Sequence, residues 1–333
     1  MTPGYSKTDF TTELNVWQKV IYYLLWSIVY LISLLPFRVL YAISDFLYLI
    51  IYKVVGYRTK LVRKNLKDSF PEKSADELLS IEKRFYHFFC DYIFETIKLA
   101  SMTKAEMYRR VIYKNKEHMR QVVSEGRSIA LYLGHICNWE WVTSVGMQLP
   151  DEMFAGQVYH VLEDKVMNAL LLKLRAAMDT ESISMQITLR KIIDIKRSGR
   201  QMLIGFISDQ VPLYQATRHW TDFLNHKDTI VITGTEQIAT KCDFVSVYFD
   251  ITRPRRGYYE ISVVYLADNP KELEEFELTD RYFRALEANI QRNPEYWLWT
   301  HNRWKRDLPG LVEWAKTHGT AGETTIRKIE DKL

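Results

Sequence analysis

Two apolar stretches open the chain, and they follow different rules from the rest of it. Residues 20–37, VIYYLLWSIVYLISLLPF, run 18 positions without a charge, the lower limit for crossing a bilayer. A second stretch, Val39 to Val55, follows at once and carries only Asp45 and Lys53 as charges. Trp17, Tyr22, Tyr23, Trp26 and Tyr30 are aromatics of the kind that settle at a lipid–water boundary. A pair of buried core helices would give the same pattern. The flanking charge favours an uncleaved anchor or a deeply embedded interfacial helix. Phe46 to Lys67 contains no acidic residue, while Lys53, Arg58, Lys60, Arg63, Lys64 and Lys67 are basic. Such a cluster is drawn to anionic headgroups and belongs on the cytoplasmic side. A cleavable signal sequence fits poorly, because Lys7 is outnumbered by Asp9 and Glu13 and no small-residue cleavage site follows.

Beyond residue 70 the pattern alternates between helical and strand periods. Ser74 with Glu77 forms a capping box that predicts a helix over 74–98. The run SIALYLG within Arg127–Gly134 reads as a buried strand, and Asn138 caps a helix after it with Glu140 in the first turn. Further strands are predicted at Met153–Tyr159, Ile183–Gln186, Met202–Ser208, Phe244–Thr252 and Tyr258–Tyr265. Arg253 to Gly257 forms the hairpin connection between the last two. Helices fit around 163–178, 188–197 and Thr235–Lys241. The alternation predicts an α/β fold, a mixed sheet flanked by helices with its site at the carboxyl ends of strands. The expected organisation is a membrane-associated helical segment over 1–56, an α/β domain over 57–315 and a polar tail over 316–333.

Composition narrows the class. The chain has 333 residues, 47% of them hydrophobic and 14% aromatic, which excludes disorder as the dominant state. A mean hydropathy of −0.22 excludes a polytopic membrane protein. Cys90, Cys137 and Cys242 are odd in number and widely spaced, giving neither a disulfide framework nor a metal cluster and suiting a reducing compartment. The net charge is +4. The basic run beside the apolar segments is not interleaved with a nucleic-acid recognition module.

The candidate chemistry lies at Gly134, His135, Ile136, Cys137, Asn138, Trp139 and Glu140. With His135 in the turn after a strand and Glu140 in the first helical turn, the carboxylate can hold one imidazole nitrogen and leave the other to take a proton from a hydroxyl. Spacing alone is weak evidence, since about one His-x4-acid pair is expected by chance. His318 and Glu323 form another in the polar tail. Strand, glycine, histidine and cap together set the first apart.

This block resembles the His-x4-Asp/Glu motif of the lysophospholipid acyltransferase superfamily, and specifically the bacterial lipid A late acyltransferases of lauroyl/myristoyl type, commonly GHxGNWE. The likeness continues through Arg63–Leu66 with Ser69–Pro71, through Tyr159 and the helix to Arg175, and through Ser208, Asp209 and Gln210. It ends with Asn293–His301 and Arg303, Trp304 and Lys305. Five ordered blocks cover roughly residues 15 to 306. Departures are His160 for the usual arginine and Phe223-Leu224-Asn225 for Phe-Phe-Gly, both where substrate contacts are expected. Cys137 stands where the family has a small residue and is expected to pack.

The resemblance implies an acyl carrier protein-dependent O-acyltransferase at the cytoplasmic face of the bacterial inner membrane. The acyl carrier protein thioester would be the donor, a hydroxyl of a lipid A precursor the acceptor, and the anionic membrane surface a further partner. No cofactor, metal or nucleic acid is implied. His135 would act as base oriented by Glu140. Asp209 would organise Arg175 or the site floor, with Gln210 beside it in the substrate site. Arg175, Arg303 and Lys305 would form a basic rim for acceptor phosphate or carboxylate. Alternatives are an acyltransferase of another membrane lipid (phospholipid, amino lipid or glycolipid), a hydrolase, or a peripheral protein that binds anionic lipid without chemistry.

Overall fold

Pro36 ends the first apolar helix, Val16–Ser33, because proline lacks the donor a continuing helix needs. The freed carbonyls are taken up from elsewhere in a computed structural model that describes residues 9–330. Lys98 Nζ donates to Ser33 O at 2.6 Å and Leu35 O at 3.1 Å, and Ser101 Oγ donates to Ser33 O at 2.7 Å. A cation at a helix carboxyl end also suits the helix dipole. The second apolar stretch is helical over Phe37–Tyr48, continues as a wider π-type helix over Leu49–Val55, and stops at Gly56. It then turns by 92° into Thr59–Ser69. Among the described residues, Val16–Ser33 is long and apolar enough by itself to cross a membrane. Both apolar stretches pack one side on the protein, against helix Ala75–Lys98, and Lys173 Nζ sits 4.1 Å over the Trp26 ring. Their other side stays open: Trp17 is 78% and Val54 80% exposed.

Among the described residues nine strands follow: β1 (Val111–Lys114), β2 (Ile129–Leu133), β3 (Phe154–Tyr159), β4 (Glu181–Ser184), β5 (Met202–Ile207), β6 (His219–Phe223), β7 (His226–Val231), β8 (Val245–Arg255) and β9 (Tyr258–Ala267). Seven form one mixed sheet in the order β1-β9-β8-β2-β5-β3-β4, and β6 with β7 makes a separate hairpin. The strands from β8 to β4 are parallel to one another, while β9 runs antiparallel to β8 and carries β1 parallel to itself. β2 is central and buried at every position, as a strand covered on both faces must be. Tyr132 packs on Tyr282 of helix Glu277–Arg292, ring centroids 5.1 Å apart, which covers one face.

The expected mixed α/β sheet is therefore present, with strand limits within a few residues of expectation. The capping box of Ser74 and Glu77 is formed. Two differences have clear causes. Arg253 to Arg255 continue β8, so the connection shortens to Arg256 and Gly257. Gly257 is in the left-handed region, and a Cβ there would lie 2.0 Å from the Tyr41 hydroxyl of the second apolar helix. Strand β1 escapes the hydrophobic pattern because it is only four residues long, and the hairpin β6–β7 because its strands are short and their exposed positions are charged.

Candidate active site

β2 and β5 are adjacent and parallel, with Leu133 opposite Ile207. Two residues beyond each carboxyl end stand His135 and Asp209, so sheet register alone brings the pair together. His135 Nδ1 donates to Asp209 Oδ1 at 2.6 Å, and the His135 backbone N–H donates to Oδ2 at 2.9 Å. Trp297 Nε1 donates to the same Oδ2 at 2.8 Å. Asp209 is buried. Burial by itself raises its carboxyl, but the His135 imidazole and these N–H donors outweigh burial and lower it to about 2. An ionised Asp209 fixes the imidazole proton on Nδ1 and leaves Nε2 as an acceptor. Gln210 Nε2 lies 3.3 Å from that Nε2, so its amide donates to the free lone pair.

The turn is held by its neighbours. A Cβ on Gly134 would fall 2.5 Å from Leu286 Cδ1, so a larger residue there would have to push the Leu286 side chain aside. Residues 135–137 pair with 296–298: Leu298 N donates to His135 O at 3.0 Å, and Cys137 N to Tyr296 O at 2.9 Å. Trp139 packs edge-on against the imidazole at 5.0 Å. Asn138 caps the following turn through Trp141 N at 3.1 Å, although that segment is a 3-10 helix over Trp141–Gln148 rather than an α-helix. The shallow depression beside His135 is lined by His135, Asp209, Gln210, Trp297, Leu298 and His301. A larger open cavity of about 500 Å³, bordered by Met119, Met147 and Gln201, lies toward the amino ends of β2 and β5, away from His135.

Three expectations change. Glu140 does not orient His135. Its carboxylate is paired bidentately with Arg175, through Nε at 2.7 Å and Nη2 at 2.6 Å, and Asp209 holds the imidazole instead. Asp209, in turn, organises the histidine rather than Arg175. Burial disfavours the Arg175 cation, but Glu140 outweighs burial and raises its pKa. Arg303 is not on a rim. It is 0% exposed, donates through Nη2 to Ile230 O of β7 at 2.8 Å, and lies 5.9 Å over the Phe283 ring. Lys305 is exposed. Trp297 and His301, which no local pattern singles out for this site, stand in it; both lie in the block that carried the resemblance.

The sequence profile of the bacterial lipid A biosynthesis acyltransferases matches residues 7–306. The chain belongs to that family. No curated protein matches it.

Two departures of this acyltransferase from its family's pattern have conformational readings. Cys137, where the family commonly has glycine, sits at φ 53°, a region that favours glycine. Its thiol is buried against Ile251 O, and burial pushes its pKa well up, which makes it packing rather than a nucleophile. Leu224 and Asn225 form the two-residue turn between β6 and β7, at φ 49° and 42°, and Asn225 Nδ2 donates to Asp68 O at 2.9 Å. Asparagine tolerates this conformation, so Asn225 serves the hairpin rather than the expected substrate contact. His160 is exposed just past β3.

Proposed function

We propose that this acyltransferase moves a fatty acyl chain from an acyl carrier protein thioester to a hydroxyl of a lipid A precursor at the cytoplasmic face of the inner membrane, with His135 as general base. The observation that carries the reading is the His135–Asp209 hydrogen bond with Nε2 left facing the depression. His135 Nε2 takes the acceptor proton, Asp209 stabilises the imidazolium that results, and the alkoxide attacks the thioester carbonyl directly. The base supplies about 10²–10⁴-fold, and juxtaposition of two held substrates supplies more. Glu140 and Arg175 brace the segment after the histidine through their buried pair. The test is mass spectrometry of lipid A from cells with and without the gene. A precursor lighter by one ester-linked acyl chain is expected, restored by purified protein with acyl carrier protein thioester. An unchanged lipid A with another lipid class losing an acyl chain removes the named acceptor and leaves the chemistry.

A two-tailed acceptor is costly to withdraw from lipid, at about 0.8 kcal/mol per exposed CH₂, so the exposed faces of the two apolar helices serve as the membrane-bound side. Arg58 and Arg63 are engaged within the protein, with Thr300 O at 2.7 Å and Glu82 at 2.8 Å. Headgroup attraction therefore falls to the exposed Lys53, Lys60 and Lys67. Changing these three to glutamine is expected to weaken binding to vesicles containing anionic lipid by about 1 kcal/mol per residue, in a salt-sensitive way. Binding unchanged at low salt in a vesicle flotation assay would show that the apolar faces alone hold the protein.

A further inference from the structure

The chemistry above uses one side of the depression beside His135. When the alkoxide attacks, negative charge develops on the thioester carbonyl oxygen, and neither His135 nor Asp209 has a donor to offer it. Two neutral donors line the same depression. His301 Nε2 accepts the backbone N–H of Val211 at 3.4 Å, which leaves the ring proton on Nδ1. Burial, the largest influence on it, holds His301 down to about 4, so the ring is a neutral donor at working pH. The Gln210 amide rests 3.3 Å from His135 Nε2 and is set free when a substrate hydroxyl takes that place. The loop carrying His301 is fixed: Asn65 Nδ2 donates to Trp299 O at 3.0 Å and His301 O at 3.1 Å, and Arg58 Nη1 to Thr300 O at 2.7 Å. A donor needs such preorganisation to favour the transition state over the ground state.

We propose that His301, through Nδ1–H, and the displaced Gln210 amide form the oxyanion hole of the transfer reaction. This rests on His135 being the base. The acceptor O–H proton moves to His135 Nε2 as the new C–O bond forms, and the carbonyl π pair moves onto oxygen, where His301 and Gln210 hold it. The oxygen pair then re-forms C=O and the C–S bond breaks. The thiolate leaves and takes the proton from His135 Nε2, so nothing is oxidised or reduced.

The test is steady-state transfer from acyl carrier protein thioester to lipid A precursor by purified full-length His301→Ala, His301→Gln, Gln210→Ala and His135→Ala. His301→Ala is expected to lower kcat by about 10²–10³-fold with little change in KM for the thioester. His301→Gln, which carries an amide donor, is expected to recover about tenfold or more of that loss, and Gln210→Ala to lower kcat by about 10-fold or more. A His301→Ala enzyme with near-normal kcat, a loss confined to KM, or a His301→Gln no better than alanine overturns the assignment. Should His301→Ala melt early, Gln210→Ala decides by the same criterion. Inactive His135→Ala beside active His301→Ala removes only the oxyanion hole; active His135→Ala removes the base itself.

Discussion

Asp209→Asn is expected to lower acyl transfer by about 10²–10⁴-fold while the protein still folds. The reason is the tautomer. Asp209 Oδ2 accepts two N–H groups, from the His135 backbone and Trp297 Nε1, at 2.9 and 2.8 Å. In asparagine the carbonyl oxygen must stay there to satisfy both, so the amide NH₂ turns toward His135 Nδ1. An NH₂ facing Nδ1 makes that nitrogen an acceptor and moves the ring proton to Nε2, where it blocks the base. The loss should appear in kcat rather than KM, since the proton transfer exists only in the transition state. Nitrogen chemical shifts of the imidazole would report the exchanged tautomer directly. Acid stability gives a second readout. The folded carboxyl is lowered to about 2, below its value in the unfolded chain, so the unfolded state binds more protons between about pH 4 and pH 2. Stability from Asp209 is therefore complete above that window and lost as pH falls through it, and Asp209→Asn should flatten the dependence. Near-normal turnover in this variant would remove Asp209 from the mechanism.

Glu140→Ala is expected to act on stability before it acts on chemistry, by about 3–5 kcal/mol. Its carboxylate is buried and bidentate on Arg175, whose side chain is only 19% exposed. Deleting the acid leaves a desolvated guanidinium without its partner, which is more damaging than removing both charges. A Glu140→Gln, Arg175→Met double variant should accordingly recover much of the loss. Denaturant midpoints, with transfer rates normalised to folded protein, separate the effects. If Glu140→Ala unfolds like the parent while kcat falls by about 10³-fold, the glutamate belongs to the chemistry and the bracing role is wrong.

The motif read along the chain pairs His135 with Glu140 because five residues is all that local order can connect. It puts that histidine in the site for a physical reason: a buried apolar strand, a glycine and a capping asparagine place the side chain at a strand's carboxyl end whatever surrounds it. It assigns the wrong partner because side-chain reach is a matter of three dimensions. Arg303 is misplaced on the same ground. A charge in a basic segment is ordinarily solvated, and only the fold of the segment after Trp297 beneath β7 buries it.

What the sequence by itself determines here is whatever is encoded locally. The capping box at Ser74, the strands of the main sheet from β2 to β5 and the pair β8 and β9 all follow from propensity and hydrophobic period, and so does the placement of His135 at a strand end. What only the tertiary structure decides is the company His135 keeps. Asp209 lies 74 residues away, Trp297 and His301 further still, and they meet because β5 pairs in parallel with β2 in one particular register and residues 296–298 close over the turn. Register is a property of the whole buried sheet, summed over many weak contacts between distant segments, and no local pattern carries it.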